Sequence, residues 1–485
     1  LSKSSKLHPS FDMGACIHPV KYPLLLRDRN FVLLLSGQTL ATFGNNMYIL
    51  ALLWMVQMET LHRAHSALFL GLVMMAAFLP RVLFAPIAGV LTDRWPKRVL
   101  MLVTDISRGG LLVLLTFLTL FHQTGPWELI AFNFVLSSLG TVFNPASVVL
   151  TKEVASDELL LRARSILNVG QKTMEIAGPA ASGLLIGLLG SAVVFGINAA
   201  TFFFSALTLT LMRVQEPERR KSSLAPKALV QDVKEGASLY LASPYARTLT
   251  PFVLMYNFPV VAIEFLIVNF VANTLHYTSN RGAFIVGFFN TALAIGELSG
   301  SFTIPFFSRT LSKERLPIIA MSISAACLTT VGFMRSPVLI ALLMFIAGFC
   351  MIVSSTIFFT SIQLAVPHEA LGRIYALLGA VFDAATPISQ LLFGTVAAVI
   401  PVSLLISGAG GLAFLGISSA WLSPLVQHPP KDSVVAQHDE PVDSEGNSGG
   451  NSEVKPNLGP DVDVAVETRA FTSAALESNL HSNDI

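Results

Sequence analysis

Six ionisable side chains sit deep inside long apolar stretches: Arg81, Lys172, Glu175, Glu264, Glu297 and Asp383. A charge in the middle of such a stretch costs about 2.5–3.5 kcal/mol once the stretch enters a bilayer, so each needs a partner, a wet cavity or a task. Lys172 and Glu175 are three residues apart, which puts them on one helix face, where they can neutralise each other or act separately. Glu264, Glu297 and Asp383 have no lysine or arginine within four residues. A carboxyl group in apolar surroundings without a cation favours its neutral form. That suits it to carry a proton, or to meet a cationic group on a ligand. Arg81 could pair with a carboxylate on another helix or contact an anionic ligand group. A further cluster lies between two apolar runs: Gly89–Arg98, GVLTDRWPKR, packs Asp93, Arg94, Lys97 and Arg98 into six positions. A tight loop at the bilayer surface would hold them, and its aspartate could pair locally or latch a neighbouring helix end.

The rest of the chain must supply the helices that hold these groups. Of 485 residues, 53% are hydrophobic and 13% charged, with a mean hydropathy of +0.65; a soluble chain carries about 25% charge. The net charge of +1 gives no basic face for nucleic acid. Three scattered cysteines, Cys16, Cys327 and Cys350, indicate neither a disulfide framework nor a metal site. No removable signal peptide is expected in the first thirty residues. A helix crosses the hydrocarbon layer in about 20 residues. Apolar runs of that length predict twelve spans, at 31–58, 66–92, 99–121, 127–150, 165–190, 191–212, 248–275, 282–308, 316–334, 336–364, 374–400 and 402–426.

Lysine and arginine placement orients these spans. With a cytoplasmic N-terminus, twenty-five of the basic residues fall on the inner side and only Arg63, Arg281 and Arg335 on the outer, so both termini are expected inside. The predicted organisation is a cytoplasmic N-terminal segment (1–30), a six-helix bundle (31–212), a basic cytoplasmic loop (213–247), a second six-helix bundle (248–426) and an acidic tail (427–485). The tail holds eleven acidic and three basic residues among many Ser, Asn, Gly and Pro, a composition expected to stay disordered. The halves also echo each other. Arg162 corresponds to Arg373, Ser156 to Pro367 and Gly183 to Gly394, all at an offset of 211. Such repetition puts a substrate path at the midplane between two bundles.

Twelve spans, a basic central loop and the Gly89–Arg98 sequence together resemble the major facilitator superfamily, whose signature between its second and third helices reads G-x-L-a-D-R-x-G-R-K/R. Gly89, Leu91, Asp93, Arg94, Lys97 and Arg98 fit it, while Pro96 replaces the second glycine. Proline cannot adopt the left-handed turn open to glycine, so Pro96 is expected to begin the third helix, where a missing N–H is harmless. Residues 24–425 are similar to the subgroup of macrolide, multidrug and enterobactin-type siderophore exporters, through LLRDRNFVLLLSGQTLATFGNNMYILALLWMV, NPASVVLTKEV and the Arg162–Gly183 run. Gly178-Pro179-x-x-x-Gly183 is close to the GPxxGG element of proton-coupled exporters, with Ser182 in place of a glycine. The arginine that many drug–proton antiporters carry in the fourth span is missing, since 129–143 has no charge.

The resemblance implies that the first, fourth, seventh and tenth helices line a central cavity. The second, fifth, eighth and eleventh would form the seam between halves, with the third, sixth, ninth and twelfth facing outward. Gln38, Asn45, Asn46, Asn133 and Asn257 then become candidate hydrogen-bond partners of a substrate. Asp105 and Arg108, near the inner end of the third span, resemble a recurrent feature of the efflux subgroup and are expected to be a structural pair supporting the Asp93 loop. The expected protein is an all-α, multi-pass membrane protein of the plasma (inner) membrane, monomeric, with neither catalysis nor cofactor nor metal. Its expected function is secondary-active, proton-coupled export of an amphipathic small molecule such as a macrolide, another drug or a siderophore. A lysophospholipid flippase of the same fold, and a non-transporting sensor that uses the acidic tail, are the alternatives.

Overall fold

Hydrocarbon offers the backbone no hydrogen-bond partner, so apolar runs of this length fold as helices that satisfy themselves. The computed structural model describes residues 25–61, 63, 65–155, 159–214, 238, 244–310, 315–365 and 371–427, and every regular element among them is helical. In chain order the long helices are α1 Arg29–Thr60, α2 Ser66–Arg94, α3 Lys97–Leu120, α4 Pro126–Val154, α5 Leu160–Leu189 and α6 Ser191–Leu211. They continue with α7 Pro244–Asn273, α8 Asn280–Thr310, α9 Arg315–Val331, α10 Pro337–Ala365, α11 Leu371–Val396 and α12 Val402–Ser418. A 3-10 turn, Ser419–Leu422, and a short helix α13, Pro424–Gln427, follow. Nine of these helices are long and apolar enough to cross a membrane. Outside that set are α9, at 17 residues, and α5 and α11, which carry Lys172, Glu175 and Asp383. The expected N-terminal segment up to residue 24, the central loop from 215 to 237, the acidic tail from 428 and the side chains of Asp93 and Arg373 lie outside the described residues.

Local chemistry sets the helix ends. Asp28 caps α1 by accepting the Phe31 N–H at 2.9 Å. Pro126 opens α4, and Glu128 in its first turn accepts the Gly125 N–H at 3.0 Å. Between α5 and α6 the chain turns at Gly190, whose φ of 86° is costly for any residue with a Cβ.

Within residues 29–211, α1 packs on α5 and α6, α2 on α4, and α3 on α4 and α6. The second set of six repeats each pairing: α7 on α11 and α12, α8 on α10, and α9 on α10 and α12. The repetition reaches individual atoms. Arg98 donates from Nε to the Leu209 carbonyl and from Nη2 to that of Thr210, both at 2.6 Å, capping the end of α6. Arg315 donates from the same two nitrogens to Val426 and Gln427, both at 3.1 Å. All three positions are displaced by 217 residues between the copies (315 − 98, 426 − 209 and 427 − 210). An arginine on the last free carbonyls of a helix satisfies groups that would otherwise be orphaned.

The two sets meet along α5 with α8 and along α2 with α11. Both crossings rest on glycine pairs. A Cβ on Gly183 would come within 2.9 Å of the Ala283 carbonyl and 3.0 Å of the Gly287 Cα; one on Gly287 would come within 2.9 Å of the Pro179 carbonyl. At the other crossing, a Cβ on Gly71 would lie 2.6 Å from the Gln390 carbonyl and 3.1 Å from the Gly394 Cα. Small residues let helix backbones approach closely, so van der Waals contact replaces the hydrophobic drive that lipid cannot supply. Gly287→Leu should therefore force α5 and α8 apart. A destabilisation of about 1–3 kcal/mol is expected for such overpacking, read as a lower thermal midpoint in detergent, with Gly89→Ala, whose Cβ meets nothing within 4 Å, as the unaffected control.

Candidate functional site

Two cavities carry most of the polar chemistry, one in each set of six helices. The first, about 380 Å³, is walled by α1 to α6. Its lining is rich in carboxamides: Gln38, Asn45, Asn46, Asn133, Asn144, Gln171 and Asn198, together with Tyr48, Arg81, Asp105, Arg108 and Glu175. The second, about 340 Å³, lies among α7, α9, α10 and α11. Phe258, Phe358, Phe359, Phe382, Val261 and Met321 dominate it, with Asn257, Ser355 and Thr386 as hydrogen-bonding groups and Asp383 as its one charge. One cavity can solvate a polar ligand end; the other suits an apolar body carrying a cation.

Hydrogen bonds hold the polar wall in shape. Buried Asn133 donates to the Val73 carbonyl at 2.8 Å and accepts from the Tyr48 hydroxyl at 3.3 Å, tying α4 to α2 and α1. Gln38 donates to the Ser147 hydroxyl at 2.7 Å. Ser182, in place of the glycine of the export element, donates to the Met47 carbonyl at 2.7 Å and fastens α5 to α1. Beside it Gly178 lies so close to α1 that a Cβ would come within 2.6 Å of Asn46. The Gly178-Pro179-x-x-x-Gly183 element thus faces α1 at its start and α8 at its end.

The predicted charges fall into distinct settings. Lys172 and Glu175 form an ion pair at 2.5 Å, and Glu297 of α8 lies within electrostatic reach of both. Arg81 lines the polar cavity, sits 4.8 Å from the Phe78 ring centroid and feels Glu264 of α7. Asp383 lines the apolar cavity. These six charges are therefore not gathered into one cluster.

One expectation needs correction. Helices α3 and α6 do not simply face outward: α3 sends Asp105, Arg108 and Leu112, and α6 sends Asn198 and Phe202, into the polar cavity. The reason is side-chain length and packing. Arg108 lays its guanidinium on the Phe202 ring, 4.4 Å from the centroid, and reaches Gly140 of α4, where a Cβ would lie 3.0 Å from its Nη2. Asp105 and Arg108, expected as a structural pair, both line the cavity as well.

At the Gly89–Arg98 connection, α2 runs through Arg94, leaving only Trp95 and Pro96 between helices. Pro96 (φ −56°, ψ 129°) stands just before the first residue of α3 rather than within it, and its carbonyl accepts the Leu100 N–H at 2.9 Å. Lys97 is buried and donates to the Trp95 carbonyl at 2.9 Å. The hydrogen bonds of Arg98 described above go to α6, inside the same six helices.

Contacts across the seam include a polar one. Asn269 of α7 donates to Gln57 of α1 and to Ser66 of α2, each at 3.0 Å, and all three are buried. It lies at the same end of the molecule as the ring of Trp54, which packs on Gly282.

Residues 23–460 match a family described as transmembrane secretion effector. The chain belongs to that family of major facilitator transporters. It is 26% identical over 373 residues to the multidrug efflux pump Tap of Mycolicibacterium fortuitum, covering 76% of this chain and 88% of that one. It is 24% identical over 379 residues to macrolide efflux protein A of Streptococcus pyogenes, covering 75% and 88%. Among solved structures it superposes on a D-xylose-proton symporter with a TM-score of 0.61 at 12% identity, over 81% of this chain and 97% of the other. That last likeness concerns the fold alone. At family level the chain is a multi-pass membrane transporter related to drug efflux proteins.

Within the family frame, sequence reading missed Tyr48, Asn144, Gln171 and Asn198 as cavity groups. The first three sit on helices expected at the cavity or seam, so polarity alone could have flagged them. Asn198 sits on a helix expected to face outward. The cavity wall can be tested without reference to transport. Asn133→Leu leaves the Tyr48 hydroxyl and the Val73 carbonyl without their partner, so a loss of about 1–2 kcal/mol is expected. Thermal unfolding in detergent should show it as a lowered midpoint, and an unchanged midpoint would contradict this assignment of the bonds.

Proposed function

We propose that this transporter is a proton-coupled exporter of amphipathic small molecules, working by alternating access between two six-helix bundles, 31–212 and 248–426. In this reading all twelve long helices span the plasma (inner) membrane and both termini are cytoplasmic, as the positive-inside distribution of lysine and arginine suggests. The observation that carries it is the contrast between the cavities. A polar one lined by carboxamides and charges in the first half is matched by an aromatic one with a single carboxylate in the second. A ligand with a hydroxyl-rich end and an apolar, cationic body would use both. Drugs of the kinds named in the two efflux relatives have such a character, which supports export over uptake.

In this reading the glycine crossings and the Asn269 hydrogen bonds form the outer seal, and the cytoplasmic side is the one that opens. Gly89, Asp93, Arg94, Lys97 and Arg98 would close the inner side in the opposite state. Glu264, Glu297, Asp383, Glu175, Lys172 and Arg81 are then available for substrate contact or coupling, with Glu297 poised against the Lys172–Glu175 pair across the seam.

Transport by the purified chain in proteoliposomes under an imposed proton gradient tests the reading, across macrolides, catecholate siderophores and lysolipids. Movement of an amphipathic cation or macrolide that collapses with a protonophore is the expected result. Gradient-independent movement of lysolipid alone would favour the flippase, and no movement of any of the three would overturn the transporter assignment at this substrate class.

A further inference from the structure

Among the described acids of the apolar helices, Asp105 is the one that is fully buried, and no cation pairs with it. Its exposure is 0%, no cation is hydrogen-bonded to either carboxylate oxygen, and the Ser205 hydroxyl is the donor beside it. It sits in the wall of the polar cavity, among carboxamides. A buried carboxylate left charged and unpaired would be expensive. The cation that could relieve it, Arg108, is one helical turn away on the same face, but no ion pair joins the two. Arg108 rests on the Phe202 ring instead, with its Nε also lacking a partner. The cation thus rests on an aromatic face and not on the neighbouring acid.

We infer that Asp105 is the group that binds and releases the coupled proton, and that Arg108 swings between the Phe202 ring and the ionised carboxylate as the proton leaves and returns. The inference rests on the exporter reading and names a residue outside the six charges considered there. The step balances simply. A proton from water forms an O–H bond at one Asp105 oxygen, cancelling its charge and freeing Arg108 to move to Phe202. On release the proton returns to water through the cavity and the guanidinium pairs with the carboxylate. The groups facing this pair are few. On its own helix there is Arg108; α1 offers Tyr48, α2 Arg81 and α5 Glu175. From α4 come Asn133, Ser137 and Asn144, and from α6 Asn198 and the hydroxyl of Ser205, none of which ionises. Because Arg108 moves, the polar cavity changes its charge pattern with each proton, which links protonation to ligand binding at the same wall.

Asp105→Asn keeps the size of the side chain and removes its proton chemistry. The full-length chain and this variant are reconstituted and assayed with ethidium, a fluorescent cationic amphiphile, in two ways: accumulation driven by a proton gradient, and gradient-independent exchange. Loss of driven accumulation to background, with exchange retained and no longer dependent on pH, is the expected result. Driven accumulation at the wild-type level, or exchange that keeps the wild-type pH profile, would overturn the inference. So would loss of both activities at unchanged thermal stability, which marks a substrate contact instead. If Asp105→Asn does not fold, Asp105→Glu provides the test: its pH profile should shift from that of the wild type, and an unmoved profile would overturn the inference. A wild-type chain that neither accumulates nor exchanges ethidium, macrolide or lysolipid would bring down the exporter reading itself, and this inference with it. Wild-type transport with an unaffected Asp105→Asn variant would bring down the inference alone.

Discussion

Two backbone crossings, Gly183 against Gly287 and Gly71 against Gly394, set how closely the two sets of six helices approach. In hydrocarbon no hydrophobic drive pulls helices together, so contact depends on shape. Glycine lets α5 lie on α8, and α2 on α11, with almost no side chain between them. Both contacts sit toward the end where Asn269 bridges to Gln57 and Ser66. A seam fastened at one end leaves the other end free to part, and the cavities depend on that freedom. The seam also explains why α5 and α11 tolerate charges at midplane depth. They pack on other helices, Lys172 and Glu175 pair with each other, and Glu175 and Asp383 line cavities.

The division of labour between the halves is unequal although their scaffolds repeat. The arginine clamps at Arg98 and Arg315 match atom for atom across the copies, because capping a helix end is a task each half must perform identically. The cavities do not match. Carboxamides and paired charges line one, while phenylalanines and a lone aspartate line the other. A duplicated frame with diverged linings is an economical way to hold a molecule whose two ends differ in polarity. It also places the proposed proton site among carboxamides that can solvate it, away from the greasy pocket.

Much of the fold was legible before any coordinates. Hydropathy outlined the runs because burial in lipid demands them, and the predicted 66–92 span closely matches α2, Ser66–Arg94. The turn at Gly190 was marked only by a glycine and a serine, and positive φ explains why that was enough. The Lys172–Glu175 pair followed from spacing alone. Reading failed where the answer depends on which way a helix face turns. The spacing of Asp105 and Arg108 and their likeness to a feature of the efflux subgroup predict a structural pair, and do not report that both line a cavity. Arg108 reaches the cavity through its length and its stacking on Phe202, a residue ninety-four positions away, and no local pattern reports that contact. Pro96 was misjudged by one position, since a proline just before a helix and one at its first residue look alike in sequence.

Rocking of the two halves requires the seam to part at the end where Asn269 bridges to Gln57 and Ser66. Pulsed electron–electron distance measurements would test it most directly, using spin labels at Glu59 and His276 in a chain whose native cysteines have been replaced. Glu59 lies in the last turn of α1, and His276 lies three residues beyond the end of α7. Addition of substrate and a change of pH should convert a short distance distribution into a second, longer one, with both present at intermediate conditions. A single distribution that stays unmoved under every combination would contradict rocking of the two halves about this seam.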